Sequence, residues 1–201
     1  MITKIVFIRH GETDGNRKQL YLGHTDLPLN PTGIAQINNL KQVVESERFD
    51  RVYSSSLLRC RQTTEILFGK ELIAENDLRE MNFGIFDGQT HAEISKQYSQ
   101  EYQCWIENPV DYRITGGESL KEFYQRVTLS FRNILKENYG HKLAIITHGG
   151  CIRAILSYYL GKGIEDYWKF KIDIASFSRL EFDDNFPYLT SLNENIMSST
   201  K

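Results

Sequence analysis

Cysteine is scarce and scattered. Cys60, Cys104 and Cys151 are the only three in 201 residues, and no Cys-x-x-Cys pair exists. An odd number at these spacings provides neither a disulfide framework nor a thiolate zinc site, and leads us to expect free thiols in a reducing cytoplasm. Long apolar runs are absent, and nothing approaches the ~18 residues of a membrane-spanning helix. No basic stretch followed by an apolar core opens the chain, so no leader peptide is read. Charge of one sign is lacking too: 24 Lys plus Arg against 26 Asp plus Glu leave a net charge of −2. That excludes grip on a nucleic-acid polymer by bulk charge. A local positive pocket stays open, because net charge is a sum over the whole surface. Several motifs are missing as well, including the P-loop, the dinucleotide Gly-x-Gly-x-x-Gly, His-Glu-x-x-His and Gly-x-Ser-x-Gly. His10-Gly11-Glu12 has the His-x-Glu spacing of zinc deaminases but lacks their Pro-Cys-x-x-Cys.

What is present is an ordinary globular composition, with 40% hydrophobic and 12% aromatic residues. A chain of this length buries roughly 70% of its unfolded surface and needs no staple. One domain over residues 1–201 is expected. Residues 5–8 and 142–147 read as strands buried on both faces, as inside a parallel sheet. Asn30-Pro31 opens a helix whose stripe is Ile34, Ile37, Leu40 and Val44. Residues 51–54 and 72–74 read as short strands. Between them lies a helix, capped by Ser55 or Ser56, that ends near Phe68. Residues 77–117 read as an insertion of short helices. Glu118 begins the clearest helix, with Leu120, Phe123, Tyr124, Val127, Phe131 and Ile134 at helical steps. A helix over about 151–160, late strands at 177–182 and 188–192, and a frayed tail at 197–201 complete the reading. The fold class is α/β: a three-layer sandwich, its central sheet mostly parallel, with helices on both faces.

The most informative feature is an echo. Lys4-Ile5-Val6-Phe7-Ile8-Arg9-His10-Gly11 is matched by Lys142-Leu143-Ala144-Ile145-Ile146-Thr147-His148-Gly149. Each is a lysine, four apolar residues, one polar residue and His-Gly. If the two strands are parallel neighbours, both imidazoles emerge at the same edge of the sheet, where α/β folds bind ligands. Arg9 adds a planar, permanent cation suited to phosphate oxygens, and Arg59 and Arg61 lie early in the helix after the second strand. Several cations converging on one point describe a phosphate site. They also disfavour a metal ion between the histidines.

Arg9-His10-Gly11-Glu12-Thr13 followed by Asn16 resembles the signature of the histidine phosphatase superfamily, the phosphoglycerate-mutase-like enzymes. The other parts follow in order. Residues 53–63 resemble the second arginine segment, with Arg59 as its phosphate arginine. Residues 78–84 resemble the acid segment, with Glu80 as proton donor. Gly116-Gly117-Glu118-Ser119 resembles a substrate-side turn, and Thr147-His148-Gly149-Gly150 carries the second histidine. The resemblance spans residues 4 to about 182. Within the superfamily, residues 21–26, 81–84, Trp105 and 167–170 look most like alpha-ribazole phosphatases of cobalamin assembly. Broad-specificity sugar-phosphate or phosphoglycerate phosphatases and phosphoglycerate mutases are the alternatives. Cys60 and Ile85-Phe86-Asp87 depart from the common pattern.

The resemblance implies hydrolysis of a phosphomonoester through a phosphohistidine on His10, with no cofactor and no metal. His10 attacks, Glu80 protonates the leaving group, and Arg9, Arg59 and a protonated His148 hold the phosphate oxygens. Asn16, Thr13, Gly23, Gly149 and Ser119 are the substrate-side candidates, with Tyr21, Phe83, Trp105 and Trp168 as aromatic walls. Glu12 is expected to orient a neighbour or close a turn, and Arg61 either to join Arg59 or to sit in solvent. The expected partner is a small phosphate ester, with no nucleic acid and no membrane. A homodimer is one assembly consistent with this reading.

Overall fold

The structure is a computed structural model that describes residues 1–69 and 72–195. The tail at 197–201 lies outside the described residues. A six-stranded sheet has the order β3-β2-β4-β1-β5-β6, made of β1 (Ile2–Arg9), β2 (Arg51–Ser55), β3 (Ile73–Glu75), β4 (Lys142–Thr147), β5 (Phe177–Asp183) and β6 (Phe186–Glu194). The first four strands run parallel, whereas β5 and β6 are antiparallel additions at one side. The mostly parallel sheet and the reach of the late strands agree with the sequence reading.

Alternation within the buried strands assigns the layers. Ile5, Phe7, Leu143 and Ile145 face one cluster; Val6, Ile8, Ala144 and Ile146 face the other. Successive side chains point to opposite faces, so a strand apolar at every position must be covered twice. On one face lie α2 (Pro31–Val44) and α3 (Leu58–Phe68), through Ile37, Leu40, Cys60 and Leu67. On the other lie α6 (Leu120–Glu137) and α7 (Gly149–Leu160), through Phe123, Val127, Phe131, Ile152 and Ile155. Each such side chain fully buried contributes roughly 1.5–3 kcal/mol, enough to fix which stripe of α6 turns inward. The stretch 77–117 carries α4 (His91–Gln97) and α5 (Ser99–Glu107) and packs Phe86, Ile94 and Ile114 into this second cluster. Among the described residues no helix is long and apolar enough to cross a membrane.

Three local expectations are corrected. Ile34 is 42% exposed rather than part of the α2 stripe. Gly33 takes that inward place, four residues before Ile37, where any β-carbon would collide with the Glu12 backbone. Neither Ser55 nor Ser56 caps α3; Leu57 is the cap residue, and Asp26 Oδ1 accepts the Leu58 N–H at 2.6 Å. Glu118 does not begin α6, because Ser119 caps it in a reciprocal pair with Glu122.

Candidate active site

The two His-Gly segments lie in the arrangement that their echo requires. Lys4 pairs with Lys142, and the register runs without slip to Arg9 and Thr147. The next residue on each chain is the histidine, and the His10 N–H donates to Thr147 O at 3.2 Å. The ring centroids of His10 and His148 stand 5.1 Å apart at 64°.

His10 is 3% exposed. Its Nδ1 lies 2.8 Å from Gly11 O, a group that can only accept, so Nδ1 carries the proton. The Nε2 lone pair is left for an electrophile. Burial, then the charges of Arg59 and Arg9, hold the His10 pKa well below its ordinary value, so the ring is neutral.

His148 differs from the expected cation. Burial, Arg59, His10 and Arg9 hold its pKa well below the ordinary value. Arg59 Nε–H donates to Nδ1 at 3.3 Å, which places the proton on Nε2, and Nε2–H donates to Ser55 Oγ at 2.8 Å. Desolvation and the adjacent Arg59 and Arg9 charges oppose a further positive charge on this ring. The ring is therefore neutral, with one N–H to share between Ser55 and a ligand.

Arg59 is fully buried in the first turn of α3. Besides His148, it donates from Nη1 to Thr25 O at 3.1 Å and from Nη2 to Gly23 O at 2.8 Å. Three of its five N–H groups are thereby used to fix the fork and two are left over. Arg9 donates from Nη1 to Ile172 O at 2.6 Å, whereas its buried Nε–H meets no acceptor among the described residues. Burial lowers the Arg9 pKa somewhat, chiefly opposed by Glu80. A buried charged donor without an acceptor is costly unless a ligand supplies the oxygen.

Glu80 sits across the start of α7. Its Oε2 accepts the Gly150 N–H at 3.0 Å and its Oε1 accepts the Met81 N–H at 3.0 Å. Gly149 packs against Arg9, where a β-carbon would stand 3.2 Å from the guanidinium carbon. Two histidines, two arginines and a carboxylate thus meet at the carboxyl ends of β1 and β4. A profile of the histidine phosphatase superfamily (branch 1) matches residues 5–195. The chain belongs to the histidine phosphatase superfamily. Phosphoserine phosphatase 1 of Hydrogenobacter thermophilus is 29% identical over 195 residues, 96% of this chain and 92% of that protein. The adenosylcobalamin/alpha-ribazole phosphatase of Escherichia coli is 27% identical over 193 residues, 94% of this chain and 95% of that protein. The alpha-ribazole phosphatase structure from Shigella flexneri matches with a TM-score of 0.90 and 29% identity, over 95% of this chain and 96% of that one.

The remaining expected residues of this superfamily member divide into two groups. Asn16 Oδ1 accepts from the Thr13 N–H and hydroxyl at 3.0 and 2.9 Å, which leaves the Asn16 amide nitrogen for a ligand. Gly23 offers its carbonyl to Arg59 and cannot bear a β-carbon against Met81 O. Thr13 is fully buried as the cap of α1 (Asp14–Arg17), and Ser119 is used as the cap of α6, so both hydroxyls serve the fold. Glu12 takes Asn30 Nδ2–H at 2.7 Å and closes the turn into α2, as expected. Arg61 is exposed and lines a separate surface groove with Leu58, Gln62 and Glu65. It does not join Arg59.

A cavity of about 230 Å³ opens beside Glu80 and Gly150. Tyr21, Phe83, Trp105 and Trp168 line it together with Arg153. Tyr21 stands edge-on to Phe83 at 5.4 Å and to Trp105 at 5.6 Å, and the Arg153 guanidinium lies 5.5 Å from the Trp168 ring. The sequence reading missed Ser55 as the partner of His148, and it missed Arg153. A helical position five residues after a strand-end histidine was the available signal for Arg153.

Proposed function

We propose that this protein hydrolyses phosphomonoesters through a phosphohistidine on His10. The state of His10 carries this reading: a neutral ring, protonated on Nδ1, leaves Nε2 available beside the charges of Arg59 and Arg9, with the His148 ring centroid 5.1 Å away. His10 Nε2 attacks phosphorus while the bond to the leaving oxygen breaks, and Glu80 donates a proton to that oxygen. Water then gives a proton to Glu80 and attacks phosphorus. The phosphorus–nitrogen bond breaks, and inorganic phosphate leaves. Two transfers replace one difficult hydrolysis, and proton shuttling of this kind supplies roughly 10²–10⁴-fold. Arg9, Arg59, His148 and Asn16 stabilise the equatorial oxygens, where the transition-state charge is spread. The imidazole carries the phosphoryl group, so the balance closes with water alone.

For the substrate we propose alpha-ribazole 5′-phosphate, with alpha-ribazole as the leaving group. The aromatic walls beside Glu80 suit a flat heterocycle attached to a ribose. Phosphoserine is the second reading, favoured by the Hydrogenobacter relative and by the Arg153 cation at the cavity. All the proposed site residues stand on one sheet and its connections, which supports residues 1–201 acting as one domain. Three unpaired thiols fit a reducing cytoplasm.

The test is a kcat/KM panel of alpha-ribazole 5′-phosphate, phosphoserine, 3-phosphoglycerate and sugar phosphates. The ribazole ester should rank first. A preference for phosphoserine of roughly tenfold or more, about 1.4 kcal/mol, would reject the substrate assignment and leave the phosphohistidine chemistry standing. Mutase interconversion of phosphoglycerates faster than phosphate release would reject the hydrolase reading.

A further inference from the structure

Arg59 is fully buried, yet among the described residues no carboxylate lies within ion-pair distance of it. Its charge is met instead by two backbone carbonyls, Gly23 O and Thr25 O, and by His148 Nδ1. The N–H groups of the same short segment all converge on one carboxylate. Asp87 Oδ1 accepts from Gly23 at 2.9 Å, and Asp87 Oδ2 accepts from His24 at 2.6 Å and from Thr25 at 2.9 Å. Residues 23–25 therefore lie between an anion and a cation, with peptide donors turned to Asp87 and peptide acceptors to Arg59.

We infer that Asp87 is a positioning residue for Arg59, acting through the backbone of residues 23–25. This rests on the reading that Arg59 holds the phosphate. The arrangement has a chemical reason. A carboxylate placed directly on the guanidinium would neutralise it and compete with the phosphate oxygens. A carboxylate one peptide layer away polarises the Gly23 carbonyl through the His24 N–H of the same peptide, holds the Thr25 backbone in place, and leaves two N–H donors for substrate. The layer is rigid because Gly23 is packed against Met81 O and Phe83, and Asp26 pins the start of α3 at Leu58. Asp87 and Glu80 also belong to one segment, so the acid and the arginine are held in a common frame.

The test is a double-mutant cycle of Asp87→Asn with Arg59→Lys, read by orthovanadate inhibition and by kcat, with thermal midpoints measured for all four proteins. Asp87→Asn keeps the shape but turns an N–H₂ toward donors. In the otherwise unchanged enzyme it should weaken vanadate and lower kcat by roughly tenfold or more, with the larger effect on kcat than on KM. In the Arg59→Lys background the same change should cost less than about threefold, while the thermal midpoint falls equally in both backgrounds. Equal fold losses in both backgrounds would overturn the inference and leave Asp87 a fold residue only. If Asp87→Asn does not fold, Asp87→Glu, which keeps the charge at a shifted distance, enters the same cycle under the same criterion. Unchanged vanadate affinity in Arg59→Lys alone would remove the phosphate role of Arg59 and the inference with it. That outcome is distinct from additivity beside a weakened Arg59→Lys.

Discussion

The imidazoles of His10 and His148 lie 5.1 Å apart because the residues before them, Arg9 and Thr147, are register partners on adjacent parallel strands. Among the described residues no hydrogen-bond partner meets His10 Nε2, whereas both nitrogens of His148 are engaged. Their substitutions should therefore differ. His10→Ala is expected to lower phosphoryl transfer by roughly 10⁴-fold or more, as for other nucleophiles. His148→Ala should cost roughly 10²–10³-fold, as for removal of an oxyanion donor. Steady-state phosphate release measures both, and equal losses would contradict the division of roles.

Both rings are buried in the neutral state, which couples stability to pH. Their pKa values lie well below the ordinary 6.5 in the folded protein, so between those values the unfolded chain binds more protons. The stabilising contribution is full above pH 6.5 and is lost as pH falls from there toward the folded pKa values. The slope reaches about 1.4 kcal/mol per pH unit for each histidine. His24, also lowered by burial, acts in the same direction. Thermal midpoints from pH 7.5 to 5.5 should fall, and His148→Gln should flatten the curve. A flat curve for the unmodified protein would show that these rings are not held neutral.

Gly150 faces the acid. A β-carbon there would overlap Glu80 Oε1 and stand 2.9 Å from the Tyr167 hydroxyl, so Gly150→Ala must displace the carboxylate. The expected result is a loss of kcat of roughly 10²-fold, in the range of a lost proton shuttle, with vanadate inhibition nearly unchanged. Weakened vanadate with kcat preserved would place Glu80 on the phosphate rather than on the leaving oxygen.

The thiols should differ sharply in reactivity. Cys104 is exposed, whereas Cys60 is buried with its pKa pushed up to about 12, and Cys151 is also pushed well up by burial. The thiolate is the reactive form. A disulfide reagent should modify one thiol in the native protein and three after denaturation. Rapid native modification of Cys60, which lies 3.5 Å from His148 Nε2, would reveal an open site.

How much of this was legible in the sequence follows from what each feature depends on. The paired His-Gly segments, the two-sided strands and the amphipathic α6 are local patterns, and the sheet reproduced them with the expected neighbours. Arg9, Arg59 and Glu80 were readable through the family resemblance, and the structure brings them together with both histidines. Hydrogen-bond competition was not readable. Ser119 and Thr13 look like polar residues near a ligand, but helix ends need their oxygens first. Ser55 reads as a helix cap in the sequence but instead accepts the His148 Nε2–H bond. In the sequence Asp87 stands only as part of a departure from a common run. Its three N–H partners lie more than 60 residues away in sequence, where no spacing rule reaches.

The central claim is the covalent step on His10. The direct measurement is rapid quenching of a turnover with a phosphate-labelled monoester, followed by peptide mapping under alkaline conditions that preserve phosphohistidine. The account predicts one acid-labile phosphoryl group on His10, formed as fast as the leaving group is released and absent in His10→Ala. Full turnover with no trapped phosphoryl group, or label on any other residue, would contradict it.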